Sequence, residues 1–373
     1  MKKILLRITV VLISSAIALA AVEYFFKFIY RQKAENSFSK FAERHKELKD
    51  YPGSGKAEGL HKDSPVDKKN LEFIWDCYYG FKYKPNQKVL NKSINSFGFH
   101  DSDWRLEKDT GVYRIALLGG SVADGLADSE TIDVFLENIL NKHRKCEVLN
   151  FGTTGMMSVQ ERILFINEVI GFKPDLAVFL DGVNELNPLL YGLKPGNHFY
   201  WLRAQYDFSL GEPFFETLKK FFIKQSLTLS EKYFLYKFFF KILGFDTEFM
   251  GKNITPDEIT KAIDIYDRNI EVIKIIADAE KIKTIFFIQP LIYTKKTPSL
   301  FEKYFIESKP QYYNNLYYKG YELIIKKKPE MKKPLFDIFD KTENRIFMDN
   351  CHVTPFGNKI IAENMAQEIM SKW

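Results

Sequence analysis

The chain has 373 residues, of which 46% are hydrophobic and 27% are charged, and its formal net charge is +6. This length and composition are sufficient for a packed core and exceed one average domain. The modest excess of Lys and Arg is spread along the chain, whereas nucleic-acid-binding proteins concentrate basic residues on one face, so we expect no nucleic-acid partner. Three cysteines, an odd number, exclude a framework of disulfides and leave at least one thiol free.

The N-terminal residues 1–31 have the pattern of a membrane-addressing segment. Three basic residues within the first seven precede a run of fifteen uncharged residues, 8–22, as in a secretory signal. Apolar and aromatic residues continue beyond Glu23, which favours an uncleaved anchor over a signal peptide cleaved after residues 18–20. We therefore expect a single transmembrane signal anchor over residues 1–31, with the rest of the chain in the periplasm or at the cell surface.

Residues 32–110 are predicted to be a stalk followed by a short pre-domain segment. Up to about residue 70 the chain is polar, Lys-rich and without sustained periodicity, and the Gly, Pro and Ser residues in its middle are typical of loops. Aromatic residues return between 71 and 110, in FIWDCYYGFKY and INSFGFHDSDW. We expect this second part to pack on the main domain and not to fold alone.

From residue 111 to 373, short apolar runs alternate with helical stretches. The runs YRIALLG, CEVLNFG, DLAVFLDG and KTIFFIQP are nearly continuous in apolar residues, as in strands buried on both faces of a parallel sheet. Capping-box spacings predict helix starts at Ser158 and Thr255, and Thr354 followed by proline predicts the start of the last helix. The pattern indicates an α/β doubly wound domain.

A stretch of about seventy residues, 188–254, interrupts this alternation. It is dense in aromatic residues at mostly helical spacing, and it is too long for a plain connection. We expect a helical insertion beside the active face. Its aromatic side chains either bury a helical subdomain or form an apolar surface for sugar rings, acyl chains or lipid.

Residue types suited to nucleophilic catalysis follow the ends of the predicted strands, where ligands of open parallel sheets bind. Ser121 follows the first strand, Gly152 the second and Asn184 the third, while Asp349 and His352 precede the last helix. A serine nucleophile needs a base to take its proton and donors to hold the oxyanion. His352 is the natural base and Asp349 the group that orients it. The backbone N–H groups of Ser121 and Gly152 and the amide of Asn184 are the candidate donors.

These residues resemble the four sequence blocks of the SGNH, or GDSL-like, hydrolase superfamily over about residues 110–373. The blocks here read LLGGSVADG, NFGTTGM, DGVNEL and DNCHVTPFGN, and INSFGFHD is similar to a segment that precedes the domain in many membrane-tethered members. The resemblance implies a flavodoxin-like three-layer α/β/α fold and an esterase, lipase or acyltransferase that uses no metal and no organic cofactor. Gly120, Glu185 and His100 stand where the family usually has Asp, Asp and Arg.

We expect a membrane-tethered serine esterase or O-acyltransferase whose substrate is an O-acetyl or O-acyl group of a cell-surface glycan. One alternative is a lipase or thioesterase acting on membrane lipid, and another is a non-catalytic surface protein that kept the fold as a binding scaffold. Each block alone also has another explanation. A Gly-Gly-Ser after a strand can be a phosphate-binding turn, although the lysine of a P-loop is missing. NFG can be an ordinary strand end, Asn184 a turn residue, and the Asp-x-x-His sequence a helix cap with a surface histidine. The other histidines (45, 61, 100, 143 and 198) fall in no constellation and are expected to be surface or core residues.

Overall fold

The computed structural model describes residues 73–76, 78–89, 92–125, 130–190, 193–196 and 254–373. The predicted anchor, the stalk and nearly all of the predicted insertion lie outside the described residues. Among the helices that are described, none has both the length and the hydropathy needed to cross a bilayer.

The centre of the fold is a five-stranded parallel sheet in the order β6-β5-β7-β8-β9. Relative to the chain this order is 2-1-3-4-5, which is the flavodoxin-like order. All residues of β5 and β7 are buried, so the apolar runs correctly predicted strands that are covered on both faces. The strands are β5 (Tyr113–Gly119), β6 (Cys146–Asn150), β7 (Leu176–Asp181), β8 (Lys283–Ile288) and β9 (Lys332–Pro334).

The edge strand β9 was missed by the sequence analysis. It has three residues, Lys-Lys-Pro, and neither two lysines nor a proline is typical of a strand. Proline is nevertheless tolerated at an edge, because no ladder hydrogen bond is then lost. The pairing of β9 with β8 is therefore set by the tertiary structure and not by local sequence.

Two groups of helices pack against the sheet. Helix α2 packs against α8 and β6, whereas α5 packs against α3, α4 and α7. The helices are α1 (Ser121–Asp124), α2 (Ile132–Leu140), α3 (Ser158–Asn167), α4 (Val183–Leu190), α5 (Pro256–Ala279), α6 (Leu300–Ser308), α7 (Gln311–Lys326) and α8 (Pro355–Met370).

All three predicted helix starts are confirmed, and two of them have the predicted cap. Thr255 forms a capping box with Glu258 ahead of α5, and the Thr354 hydroxyl accepts from the Gly357 N–H ahead of α8. The predicted box at Ser158 is wrong, because Ser158 is already the first residue of α3. Its hydroxyl instead donates to the buried carboxylate of Glu185, at 3.1 Å.

The pre-domain segment packs on the main domain, as expected. It contains two short antiparallel hairpins, β1 (Phe73–Asp76) with β2 (Gly80–Tyr83) and β3 (Lys88–Val89) with β4 (Lys92–Ser93). The Trp104 ring then lies 4.6 Å from the Phe151 ring, measured between centroids, in the same hydrophobic core as the sheet.

The exposed edge of β6 is blocked by side chains. Three of its backbone N–H groups donate to side-chain oxygens and not to a further strand: Cys146 to Asn141 Oδ1, Val148 to Glu137 Oε2 and Asn150 to Asp101 Oδ2. With these donors occupied, the edge offers little to the strand of another molecule.

Arg114 joins the pre-domain segment to the sheet. Its side chain is 1% exposed, and it donates to Glu147 Oε1 at 2.7 Å, to Leu106 O at 2.8 Å and to Phe172 O at 2.7 Å. A buried guanidinium is tolerated only when its donors are satisfied in this way.

We expect Arg114→Leu to lower the free energy of unfolding by about 3 kcal/mol or more, because it leaves buried carbonyls without donors. The matched control is Arg105→Leu. The Arg105 side chain is 79% exposed, and its loss should change stability by less than about 0.5 kcal/mol. Urea denaturation of both variants tests this; equal stabilities would contradict the role of Arg114.

Candidate active site

Ser121 lies where β5 runs into α1, and it is 8% exposed. Two glycines precede it because the backbone has no room for side chains there. A Cβ on Gly119 would lie 2.7 Å from Leu180 O at the end of β7, and a Cβ on Gly120 would lie 2.1 Å from Asn184 Nδ2. A side chain at position 120 would therefore displace the Asn184 amide.

Ser121, His352 and Asp349 form a continuous chain of hydrogen bonds. Ser121 Oγ lies 2.7 Å from His352 Nε2, and His352 Nδ1 lies 2.6 Å from Asp349 Oδ2. The second oxygen of Asp349 accepts from the backbone N–H groups of Cys351 and His352, at 2.9 and 2.8 Å. The fold thus brings together a serine and a histidine that are 231 positions apart.

The turn fixes the ionisation of both partners. Burial alone would raise the pKa of Asp349, but the charge of His352 and three hydrogen bonds to the carboxylate lower it to about 2. For His352, burial acts to lower the pKa, and the adjacent Cys351 and Asp349 side chains together outweigh this and raise it well above 6.5. Asp349 therefore stays ionised and favours a proton on Nδ1, which leaves Nε2 to face Ser121.

A buried ion pair supports the segment that leads into this turn. Lys295 and Glu302 have fully buried side chains, and Lys295 Nζ lies 2.8 Å from Glu302 Oε2. The other carboxylate oxygen accepts from the backbone N–H groups of Ile346 and Phe347, at 2.8 and 2.9 Å. Glu302 therefore fixes the backbone just before Asp349.

The Asn184 amide lies against Gly120, the residue before Ser121, whereas the Gly152 N–H has a partner of its own. Asn184 Nδ2 donates to Met156 O at 2.8 Å, while Asn184 Oδ1 accepts from Asn187 at 3.1 Å. The Gly152 N–H donates to the side-chain oxygen of Asn150 at 2.9 Å. The predicted role of the Gly152 N–H as an oxyanion donor would require this bond to Asn150 to open.

Gly152 is needed for packing instead, because a Cβ there would lie 2.5 Å from the backbone nitrogen of Asp124. The second glycine of the same block, Gly155, has a φ of +77° and precedes Met156, the residue that contacts Asn184. Sequence reasoning overlooked it, although the block NFGTTGM contains both glycines and only the first was considered.

Three buried carboxyl groups lie behind the end of β7. Burial is the main cause that raises the pKa of Asp181 to about 7 and of Glu185 to about 8, and burial together with the Asp181 charge raises that of Glu161 well above 4.5. Glu185 accepts from the Ser158 N–H at 2.7 Å. This bond joins the helix that carries Asn184 to the start of α3.

The raised pKa values of these carboxyl groups predict how the free energy of unfolding depends on pH. Their pKa values are higher in the folded state than the ordinary 3.8 and 4.5, so the folded protein holds protons that the unfolded chain releases. The stabilisation is complete below about pH 4 and is lost as the pH rises through 7 to 8. We expect the free energy of unfolding to fall by more than about 1 kcal/mol between pH 5 and 8.

Asp181→Asn should flatten this decline, because the amide has no proton to lose. The exposed Glu343→Gln is the control and should keep the wild-type slope. Denaturant titrations at several pH values measure all three proteins, and an identical slope for Asp181→Asn would refute the assignment.

No family model and no curated protein sequence matches this chain. Three solved structures that are similar to it are a GDSL-like lipase from Bacteroides thetaiotaomicron, the lipase/acylhydrolase from Enterococcus faecalis and an acetyl xylan esterase from Geobacillus stearothermophilus. Each is 14% identical to this chain. The matches cover 70, 69 and 69% of this chain and 89, 96 and 94% of the other, with TM-scores of 0.36, 0.37 and 0.36.

The observed strand order and residue positions can be compared with those expected from the sequence blocks. The parallel sheet has the flavodoxin-like strand order that the sequence blocks led us to expect. Ser121 follows β5, Asn184 follows β7, and the Asp349–His352 turn before α8 reaches Ser121 Oγ.

Proposed function

We propose that this protein is a serine esterase or O-acyltransferase in which Ser121 is the nucleophile. One observation carries the proposal: the Ser121 hydroxyl, the His352 ring and the Asp349 carboxylate form an unbroken chain with contacts of 2.7 and 2.6 Å. A serine hydroxyl is a weak nucleophile until a base accepts its proton, and a base oriented by a carboxylate is the arrangement that activates it.

The reaction begins when Ser121 Oγ attacks the ester carbonyl and His352 Nε2 takes the serine proton. Asp349 stabilises the imidazolium without taking a proton itself, in keeping with its low pKa. His352 then gives the proton to the departing alcohol, and the acyl group stays on Ser121. Water or a sugar hydroxyl attacks this acyl-enzyme, His352 takes that proton, and Ser121 is released.

Two groups are proposed to hold the oxyanion that forms in each attack. One is the backbone N–H of Ser121, and the other is the amide of Asn184. A side-chain amide has two N–H donors, and only one of those of Asn184 is needed for Met156 O. The bond from Asn187 to Asn184 Oδ1 keeps the amide from turning over. The loop at Gly155 and Met156 borders this proposed oxyanion site, since Met156 O accepts from the Asn184 amide.

The proposed substrate is an O-acetyl or short O-acyl group on a cell-surface glycan. This part rests on the resemblance of the sequence blocks to a family that often acts on carbohydrate O-acyl groups, and on the secretory pattern of residues 1–31. We propose that those residues anchor the enzyme with its domain outside the cytoplasm. Hydrolysis of acetyl rather than long-chain nitrophenyl esters supports the glycan substrate, whereas preference for long chains indicates a lipase or thioesterase.

We expect Ser121→Ala to lower ester hydrolysis by about 10⁴-fold or more and to abolish labelling by a fluorophosphonate probe. Ser371→Ala, at the exposed end of α8, is the matched control and should be labelled like the wild type. Labelling is read on a gel and hydrolysis with nitrophenyl acetate. A folded wild-type protein that the probe never labels would indicate the non-catalytic scaffold.

The activity should rise with pH as His352 loses its proton, because only the neutral imidazole can act as the base. Since Asp349 raises the pKa of His352, the midpoint should lie above 6.5. In Asp349→Asn the midpoint should move to lower pH, while the plateau falls by about 10⁴-fold. The pH dependence of kcat/KM measures both effects, and an unmoved midpoint would speak against the Asp349–His352 coupling.

A further inference from the structure

A buried polar network links the pre-domain segment to the two elements that border the candidate active site. Tyr83, at the end of β2, and His100, in the turn that follows β4, are both fully buried. Asp124 ends α1 and is also fully buried, and Thr154 lies in the loop after β6. The rings of Tyr83 and His100 pack with their centroids 4.6 Å apart.

The Asp124 carboxylate is the centre of this network. Its Oδ2 accepts from the Tyr83 hydroxyl at 2.8 Å and from the Thr154 hydroxyl at 2.9 Å. Its Oδ1 hydrogen-bonds to His100 Nδ1. A carboxylate that is fully removed from water depends on such donors, and two of the three belong to the pre-domain segment.

Asp124 is directly coupled to the nucleophile. Its backbone N–H donates to Gly120 O at 3.0 Å, and the Gly125 N–H donates to Ser121 O at 3.0 Å. These bonds close a helix of four residues, and a single turn is too short to be stable by its own hydrogen bonds. The position of Ser121 therefore depends on what holds Asp124.

A second set of hydrogen bonds connects the pre-domain segment to the middle of α1. Asp101 Oδ2 accepts from the Asn150 N–H at 3.0 Å, and Asn150 Nδ2 donates to Ala123 O at 2.9 Å. The adjacent residues His100 and Asp101 thus both support α1. His100 hydrogen-bonds to the Asp124 side chain, and Asp101 acts through Asn150 at the end of β6.

The sequence INSFGFHD builds the turn that presents these two residues. Asn95 Oδ1 accepts from the backbone N–H groups of Phe97 and Phe99, both at 3.0 Å. Gly98 has a φ of +91°, and a Cβ there would lie 2.9 Å from Tyr83 O. The turn is therefore packed against the same strand that supplies the Tyr83 hydroxyl.

We propose that His100 and Tyr83 are positioning residues for Ser121. By holding Asp124 and Thr154 together, they fix α1 against the loop that contains Gly155 and Met156, so that the serine hydroxyl meets His352 next to the Asn184 amide. This inference rests on the proposed function. It makes the pre-domain segment a part of the catalytic unit, since a misplacement of about 1 Å at a reacting group can lower a rate by about 10²-fold.

The test compares two substitutions of His100 that differ in one donor. His100→Leu removes the donor to Asp124, while His100→Asn places an amide N–H near the position of the imidazole Nδ1. We expect His100→Leu to lower kcat for nitrophenyl acetate and the rate of fluorophosphonate labelling by about 10- to 100-fold, with KM unchanged. His100→Asn should restore most of the rate.

Phe99→Leu is the matched control for a merely structural effect. Phe99 is buried in the same turn and packs against Trp104 and Phe151, away from the Asp124 carboxylate. It should lower the melting temperature and leave kcat close to that of the wild type. Equal rates for His100→Leu and the wild type, or equal losses in His100→Leu, His100→Asn and Phe99→Leu, would overturn the proposal.

Hydrogen exchange separates this proposal from the proposed function. The amides of Asp124 and Gly125 should lose protection in His100→Leu and keep it in Phe99→Leu. A wild-type protein that shows this pattern but reacts with no ester or probe would refute the enzymatic function and retain the positioning of α1. Unchanged protection in His100→Leu would refute the positioning.

Discussion

The candidate site depends on how closely the carboxyl end of β5 approaches the carboxyl end of β7. Neighbouring parallel strands end at the same edge of the sheet, and here the backbone after β5 passes so near Leu180 and Asn184 that only glycine fits at positions 119 and 120. This contact places the first residue of α1 beside the amide that follows β7. Every other element of the site is arranged around that junction: the loop after β6 lies on one side, and the Asp349–His352 turn approaches Ser121 Oγ.

Carboxyl groups around the junction differ in whether a nearby cation and hydrogen-bond donors outweigh the effect of burial, and this difference decides their charge. Asp349 receives three hydrogen bonds and the charge of His352, so it is ionised although it is partly buried. Asp181 and Glu161 are buried at the end of β7 and in α3, where burial favours the protonated form. At this edge of the sheet, the Asp349 carboxylate therefore carries a negative charge within the candidate site, and the carboxyl groups that bind protons lie behind it.

The support for α1 comes from a part of the chain that precedes the sheet. A one-turn helix that ends in a buried carboxylate is not stable by its own hydrogen bonds. Tyr83 and His100 hydrogen-bond to Asp124, and Asp101 accepts a hydrogen bond from the end of β6. The aromatic rings of the same segment share the hydrophobic core of the sheet. Packing and hydrogen bonding thus join residues 78–89 and 92–104 to the sheet.

The sequence by itself determined those features that have local causes. Nearly continuous apolar runs specify β5 to β8, because strands covered on both faces need apolar residues at every position. Thr255 and Thr354 specify the starts of α5 and α8, because a capping side chain acts within four residues. The residues after the strands placed Ser121 and Asn184 at one edge, since parallel strands share their ends, whereas Asp349 and His352 were assigned to the site by their chemistry and by the resemblance of the sequence blocks.

Only the tertiary structure decided which partner each polar group takes. Ser158 has the sequence of a helix cap and bonds to Glu185, and the Gly152 N–H donates to Asn150. His100, which belongs to no catalytic constellation in the sequence, hydrogen-bonds to Asp124. The three-residue edge strand β9 likewise exists because β8 is there to pair with it. Hydrogen-bond partners far apart in the chain are selected by packing, and packing depends on the whole fold rather than on any short stretch of residues.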